Sequence, residues 1–241
     1  MDSEAQHTER DRSLEPADSA EDGEGSRSVR VSRHLSCRIS RRRPGPWLSW
    51  RAAAGVGALC GAFLLLFSFV VQPFQIPSSS MEPTLWSGDR VLVNKLAYRF
   101  GSEPQRGDVV VFDGTDAFGD SDYVKRVVGV GGDRVVCCGE EGSLKVNGEP
   151  VDETEYLYPR DEPSSVRFEV VVPQGTLFVL GDHRANSSDS RDRLGKPGGG
   201  MVPVDTVIGR ADWIGWPFSR WTSLDRPRTF ERVPAPDGAH G

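Results

Sequence analysis

Twenty consecutive residues, Ala52 to Val71, carry no charge and are predominantly apolar. As a helix rising about 1.5 Å per residue, the run is roughly 30 Å long, the thickness of a bilayer's hydrocarbon core. Hydrocarbon offers the backbone no hydrogen-bonding partner, so a crossing segment must be helical, and the chain on its two sides lies in two compartments. Trp47 and Trp50 stand at its entrance, where interfacial aromatics belong, and eight arginines fall between Arg27 and Arg51. The positive-inside rule therefore puts the N-terminus in the cytoplasm and everything after Val71 outside, as a single-pass type II protein with residues 47–71 as its anchor.

Three other readings of the run fit less well. A cleaved secretory signal has a short basic leader and a small-x-small site behind its apolar core. Here the leader is long, and Val71-Gln72-Pro73-Phe74-Gln75-Ile76 offers no such site. A twin-arginine signal is suggested by Ser40-Arg41-Arg42-Arg43, but Pro44-Gly45 follows where apolar residues belong. A core helix of a soluble protein is shorter and amphipathic.

Residues 1–46 are acidic and then basic, nearly free of aromatics, and expected to be a disordered cytoplasmic tail. Removing the first 71 of 241 residues leaves roughly 170, enough for one sizeable core. This outer domain, 72–226, reads as mainly β: Asp89–Asn94, Asp108–Phe112, Val124–Val130, Val166–Val172 and Thr176–Leu180 are short β-branched or apolar runs between turn residues. Asn147-Gly148 between Leu144–Val146 and Pro150-Val151 marks a hairpin. Residues 227–241 read as a polar tail, and 213–221 hold the aromatics Trp213, Trp216, Phe218 and Trp221, suited to core packing or to contact with a membrane surface.

Net charge −6 and scattered cations argue against a nucleic-acid partner. Arginines number 25 against four lysines, a bias typical of GC-rich genomes that leaves few candidates for lysine chemistry. Cysteines 37, 60, 137 and 138 make no CxxC and no Cys/His cluster, so no metal or other cofactor is called for. The adjacent pair Cys137-Cys138 is open to either a disulfide or two thiols.

Five residues after the apolar run comes Pro77-Ser78-Ser79-Ser80-Met81-Glu82-Pro83-Thr84-Leu85. Serine is a weak nucleophile until a neighbouring base takes its proton. The histidine on the outer side of the span and outside the polar tail is His183, and the second candidate base is a lysine, Lys125. His183, in Gly181-Asp182-His183-Arg184, could build a Ser-His-Asp triad, although adjacent Asp182 is awkwardly placed to orient it. Lys125, in Tyr123-Val124-Lys125-Arg126-Val127-Val128-Gly129, lies among apolar neighbours whose packing would depress its pKa; the bland alternative is an exposed lysine on a strand edge. Arg106-Gly107-Asp108 and Asn186-Ser187-Ser188 mimic an adhesion tripeptide and a glycosylation sequon, but the first opens an expected strand and the second sits in a denser motif.

Four motifs in order, behind a single span, resemble the bacterial type I signal peptidases, membrane-anchored Ser-Lys endopeptidases: Ser78-x-Ser80-Met81-x-Pro83-Thr84-Leu85, Arg106–Phe112, Tyr123–Gly129, and Gly181-Asp182-His183-Arg184-x-Asn186-Ser187-x-Asp189-Ser190-Arg191. The resemblance runs from about Pro73 to Trp213 and implies an antiparallel β-sheet domain of that family's type behind one transmembrane helix. It implies Ser80 as nucleophile, Lys125 as general base, and the Ser78 hydroxyl with the Ser80 N–H as oxyanion hole. Ser187 would orient the lysine, with the pairs Arg126–Asp182 and Asp189–Arg191 bracing the site. Phe74, Ile76, Pro77, Met81, Leu85, Tyr123 and Val124 would line pockets for small P1 and P3 side chains of Ala-x-Ala type. His183 departs from the family, which more often has asparagine there. The implied partners are secretory preproteins, membrane lipid and the export machinery. Two rivals share parts of this pattern: a Ser-Lys self-cleaving repressor, which would be cytosolic with a DNA-binding domain, and a non-catalytic anchored protein that keeps the fold.

Overall fold

The computed structural model describes residues 46–115, 118–139 and 142–236; the expected cytoplasmic tail, save its last residue, and positions 237–241 lie outside them. Helix α1 spans Pro46–Val70, and its stretch Trp50–Val70 is long and apolar enough to cross a membrane. Phe63, Leu64, Leu65 and Phe69 are all exposed, so no apolar stripe is tucked against the protein. A core helix would bury one face; a helix apolar all round and unburied has the length and composition of a membrane span.

The helix ends one residue earlier than expected, because Val71 already belongs to a strand. β1 (Val71–Gln75) pairs antiparallel with β2 (Arg90–Asn94), from Val71 opposite Asn94 to Gln75 opposite Arg90. β1 lies at the edge of its sheet. That position tolerates Pro73, which has no N–H to give a second neighbour. The residues that follow the apolar run thus tie the helix end to the sheet, and Lys95 N–H also donates to the Val70 carbonyl at 2.9 Å.

The remaining large-sheet strands are β3 (Val109–Asp113), β4 (Asp122–Val130), β9 (Thr176–Leu180), β10 (Val202–Pro203), β11 (Val207–Trp216) and β12 (Thr222–Ser223). Their order is β1-β2-β11-β3-β4-β9-β10, with β12 on β11. A smaller sheet, ordered β7-β6-β5-β8, consists of β5 (Arg134–Cys137), β6 (Lys145–Val146), β7 (Glu149–Pro150) and β8 (Phe168–Val171). Every pairing is antiparallel, so the fold is mainly β as expected.

β4 serves both halves of the structure. Its start, Asp122–Arg126, pairs with β3, whereas β9 joins it only from Arg126 onward, so the outer edge of Asp122–Lys125 has no strand partner among the described residues. A register shift between Val127 and Gly129 bends it toward the small sheet. A Cβ on Gly129 would stand 2.7 Å from Val135 Cγ2, so the crossing needs glycine.

The C-terminal third holds one strand the sequence reading missed and one expectation that requires correction. β11, the longest strand, escapes the sequence reading because Gly209, Asp212 and Gly215 break alternation and register shifts at 211–213 and 214–216 flip its faces. Residues 227–236 are no free tail: Phe230 and Val233 are buried in the core between the sheets, and the Pro234 carbonyl accepts from Arg106 at 3.2 Å and Asn147 at 3.0 Å. Cys137 and Cys138 form a disulfide.

Candidate active site

The serine loop is fixed at both ends. Ile76 N–H donates to the Asp89 carbonyl at 2.9 Å and Gly88 N–H to the Ile76 carbonyl at 2.8 Å. Met81 and Leu85 plunge into a core cluster with Val91, Val93 and Ile214, which leaves the intervening backbone little freedom. Leu85 is wholly buried there, below the site, so it anchors the loop and does not line the substrate pocket as expected.

Lys125 is 3% exposed, and its Nζ donates to Ser80 Oγ at 2.7 Å. Burial lowers its pKa from the ordinary 10.5 to about 8; Asp189 and Asp182 pull it back up, and Arg191 adds to the lowering. A large share of such a lysine is neutral near pH 8, with a lone pair aimed at a serine hydroxyl. Ser78 Oγ lies 3.3 Å from Ser80 Oγ. His183 is excluded as base by position: its Nδ1 faces the Ser79 carbonyl at 3.3 Å and its ring stacks on Tyr158 at 3.8 Å.

The expected braces are present as ion pairs. Arg126 holds Asp182 with two bonds, at 2.8 and 2.7 Å, and gives a third to the Gly107 carbonyl at 2.9 Å. Arg191 holds Asp189 at 2.9 and 2.8 Å, and Asp189 accepts from Gly181 N–H at 3.1 Å. Ser187 differs from expectation: its hydroxyl is buried without a hydrogen-bonding partner among the described residues and does not bond Lys125. Ser187 packs against Gly181, where an added Cβ would stand 2.2 Å from Ser187 Oγ and 2.5 Å from the Ser80 carbonyl oxygen.

Beside the pair lies a cleft of about 390 Å³ lined by Phe74, Ile76, Pro77, Met81, Tyr123 and Val124, all expected, and by Gln75, Ser121 and Asp122, which were not. It runs along the unpaired edge of β4. Sequence reading also missed two clasps. Asn186 Nδ2 donates to Ser79 Oγ at 2.7 Å and His183 N–H to the Ser80 carbonyl at 3.1 Å, both joining two recognised motifs. The aromatics Trp213, Trp216, Phe218 and Trp221 are exposed and contact one another, which rules out core packing.

A buried lysine bonded to a serine at the head of an apolar cleft is the arrangement of hydrolases that activate serine with lysine in place of histidine. Residues 49–216 match the family model described as signal peptidase, peptidase S26. The chain is 36% identical over 227 residues to the probable signal peptidase I of Mycobacterium leprae, covering 71% of this chain and 78% of that one. It is 39% identical over 207 residues to the signal peptidase I of Mycobacterium tuberculosis, covering 66% and 69%. The figures for the Pseudomonas aeruginosa signal peptidase I are 37% over 212 residues, 70% and 73%. The chain belongs to the signal peptidase family, peptidase S26. That family consists of membrane-anchored serine peptidases that cut signal peptides from preproteins.

Proposed function

We propose that the chain cleaves signal peptides after small residues, with Ser80 as nucleophile and Lys125 as its base. The observation that carries this reading is the 2.7 Å bond from a buried, pKa-depressed lysine to Ser80 Oγ. The preprotein's cleavage segment lies extended along the open edge of Asp122–Lys125, its backbone completing the ladder that β9 leaves unfilled. Shallow apolar walls at Phe74, Ile76, Tyr123 and Val124 admit alanine-sized P1 and P3 side chains.

Neutral Lys125 takes the Ser80 proton as Oγ attacks the scissile carbonyl. The developing oxyanion is met by the Ser80 N–H and the Ser78 hydroxyl, where one donor is worth roughly 3 kcal/mol. The lysine ammonium gives its proton to the leaving amine, and the acyl-enzyme remains. Water, deprotonated by Lys125, then releases the signal peptide. Asp182 and Asp189 hold the Gly181–Asp189 segment against the Ser80 carbonyl, and Ser187 fills the space beside Gly181.

The N-terminus lies in the cytoplasm and the catalytic domain outside, as the arginine-rich flank of α1 directs. There the export machinery delivers its substrates. Trp213 and Trp216 lie on β11, beside the β2–β1 pair that continues α1, and with Phe218 and Trp221 they seat the domain on the lipid surface.

Purified Ser80→Ala protein is expected to leave a model preprotein intact in detergent while still inserting into membranes; substantial cleavage by it would end the assignment. A Trp213→Ser/Trp221→Ser protein reconstituted in vesicles is expected to process preproteins several-fold more slowly. In detergent it should cut a soluble peptide at the wild-type rate. Equal rates in vesicles would remove lipid contact from the reading.

A further inference from the structure

We infer that Glu153, on the loop joining β7 to β8, is a positioning residue for the Ser80–Lys125 pair and acts through Arg184. The inference rests on the function proposed above.

Glu153 and Arg184 form an ion pair whose side chains are 3% and 2% exposed. Arg184 Nη1 reaches Glu153 Oε2 at 3.2 Å and Nη2 reaches Oε1, while Tyr156 Oη donates to Oε1 at 3.0 Å. With its fork held in this way, Arg184 donates from Nε to the Gly181 carbonyl at 2.8 Å. Gly181 is where this segment's backbone comes against the nucleophile: a Cβ there would stand 2.5 Å from the Ser80 carbonyl oxygen. Two residues on, His183 N–H donates to that same oxygen at 3.1 Å. The line from Glu153 to Arg184, to Gly181, to Ser80 is thus unbroken.

The same loop meets the segment a second time. The Tyr156 ring lies 4.4 Å from the Arg126 guanidinium, whose other face of contacts is the two-bonded Asp182. Two of the three arginines that grip the Gly181–Arg184 stretch, Arg126 and Arg184, therefore touch one loop of the small sheet, whose strands contribute no residue to the cleft; the third, Arg191, donates to the Arg184 carbonyl at 2.9 Å. Stability does not account for such a pair. Burying two charges costs nearly as much desolvation as their attraction returns, and apolar replacements of equal volume are often as stable or more so. What the charges add is a fixed direction for the Arg184 fork, and with it the height of Gly181 behind Ser80.

The test compares full-chain wild-type, Ser80→Ala, Glu153→Ala and Glu153→Gln proteins in detergent, with a model preprotein and a serine-directed covalent probe. The probe counts competent sites, so kcat is taken per reactive serine and any unfolded fraction drops out. Glu153→Ala is expected to lose about 10²-fold in kcat with KM unchanged, as small misplacements of reacting groups do. Probe labelling should slow by the same factor. Glu153→Gln keeps the side chain's shape and an acceptor for Tyr156, so it should fall between the alanine variant and wild type, and it decides the matter alone if the alanine variant does not fold. Wild-type kcat per reactive serine in either folded variant would overturn the inference and leave the proposed function standing. Preprotein cleavage by Ser80→Ala would overturn both.

Discussion

A Lys125→Met protein is expected to process no preprotein and yet to resist unfolding better than the wild type at neutral pH. The first half follows from the loss of the amine bonded to Ser80 Oγ. The second follows from linkage. Unfolded, Lys125 titrates near its ordinary 10.5; folded, burial brings it down to about 8. Between these values the unfolded chain binds more protons, so wild-type stability rises with pH across that window. Below pH 8 the full difference counts against the folded state, about 3 kcal/mol at 1.36 kcal/mol per unit. Methionine is similar in length, carries no proton and escapes the penalty, less what the lost bond to Ser80 contributed. Urea unfolding should therefore show the variant ahead by about 2–3 kcal/mol at pH 7, and the gap should close near pH 10.5. Equal stability at pH 7 would mean that the fold does not resist the ammonium, and the base would need another explanation. In the wild type the same titration sets the rate: cleavage should rise with pH through an apparent pKa of about 8.

What could be read from sequence and what could not divide along physical lines. Val109–Val111 and Val127-Val128 announce strands because a buried strand needs little besides β-branched residues. Ser80 and Lys125 are legible as a pair because lysine is scarce and each stands in a dense motif. β11 is hidden because a bulged strand loses the two-residue period on which recognition rests. Leu85 and Met81 look alike in sequence, and only packing sends one below the site and the other to the cleft wall. Ser187 is a similar case: the motif implies a bond to Lys125, but in the fold its buried hydroxyl packs against Gly181 without a partner among the described residues. Glu153 lies 31 residues from Arg184 in a loop without a recognisable pattern, so the contact exists only once the small sheet has folded back over the site.

Asp182→Ala should destabilise the folded protein by about 3–5 kcal/mol, a large part of the roughly 5–15 kcal/mol that holds a domain together. Arg126 is buried, and the substitution removes both bonds that Asp182 accepts from it, leaving only the carbonyl of Gly107 and the hydroxyl of Thr84 as nearby acceptors. An uncompensated guanidinium cannot shed its proton, so the desolvation cost falls on the fold. The double variant Arg126→Met/Asp182→Leu removes the charge together with its partner and should recover most of that loss, because the cost lies in the orphaned cation more than in the missing attraction. Activity should not follow stability. Asp182 is one of the two carboxylates that raise the Lys125 pKa, so the double variant should cleave with its rising limb shifted to lower pH. A double variant as unstable as Asp182→Ala would place the energy in the pair itself, and an unmoved pH limb would leave Asp189 as the carboxylate that tunes the base.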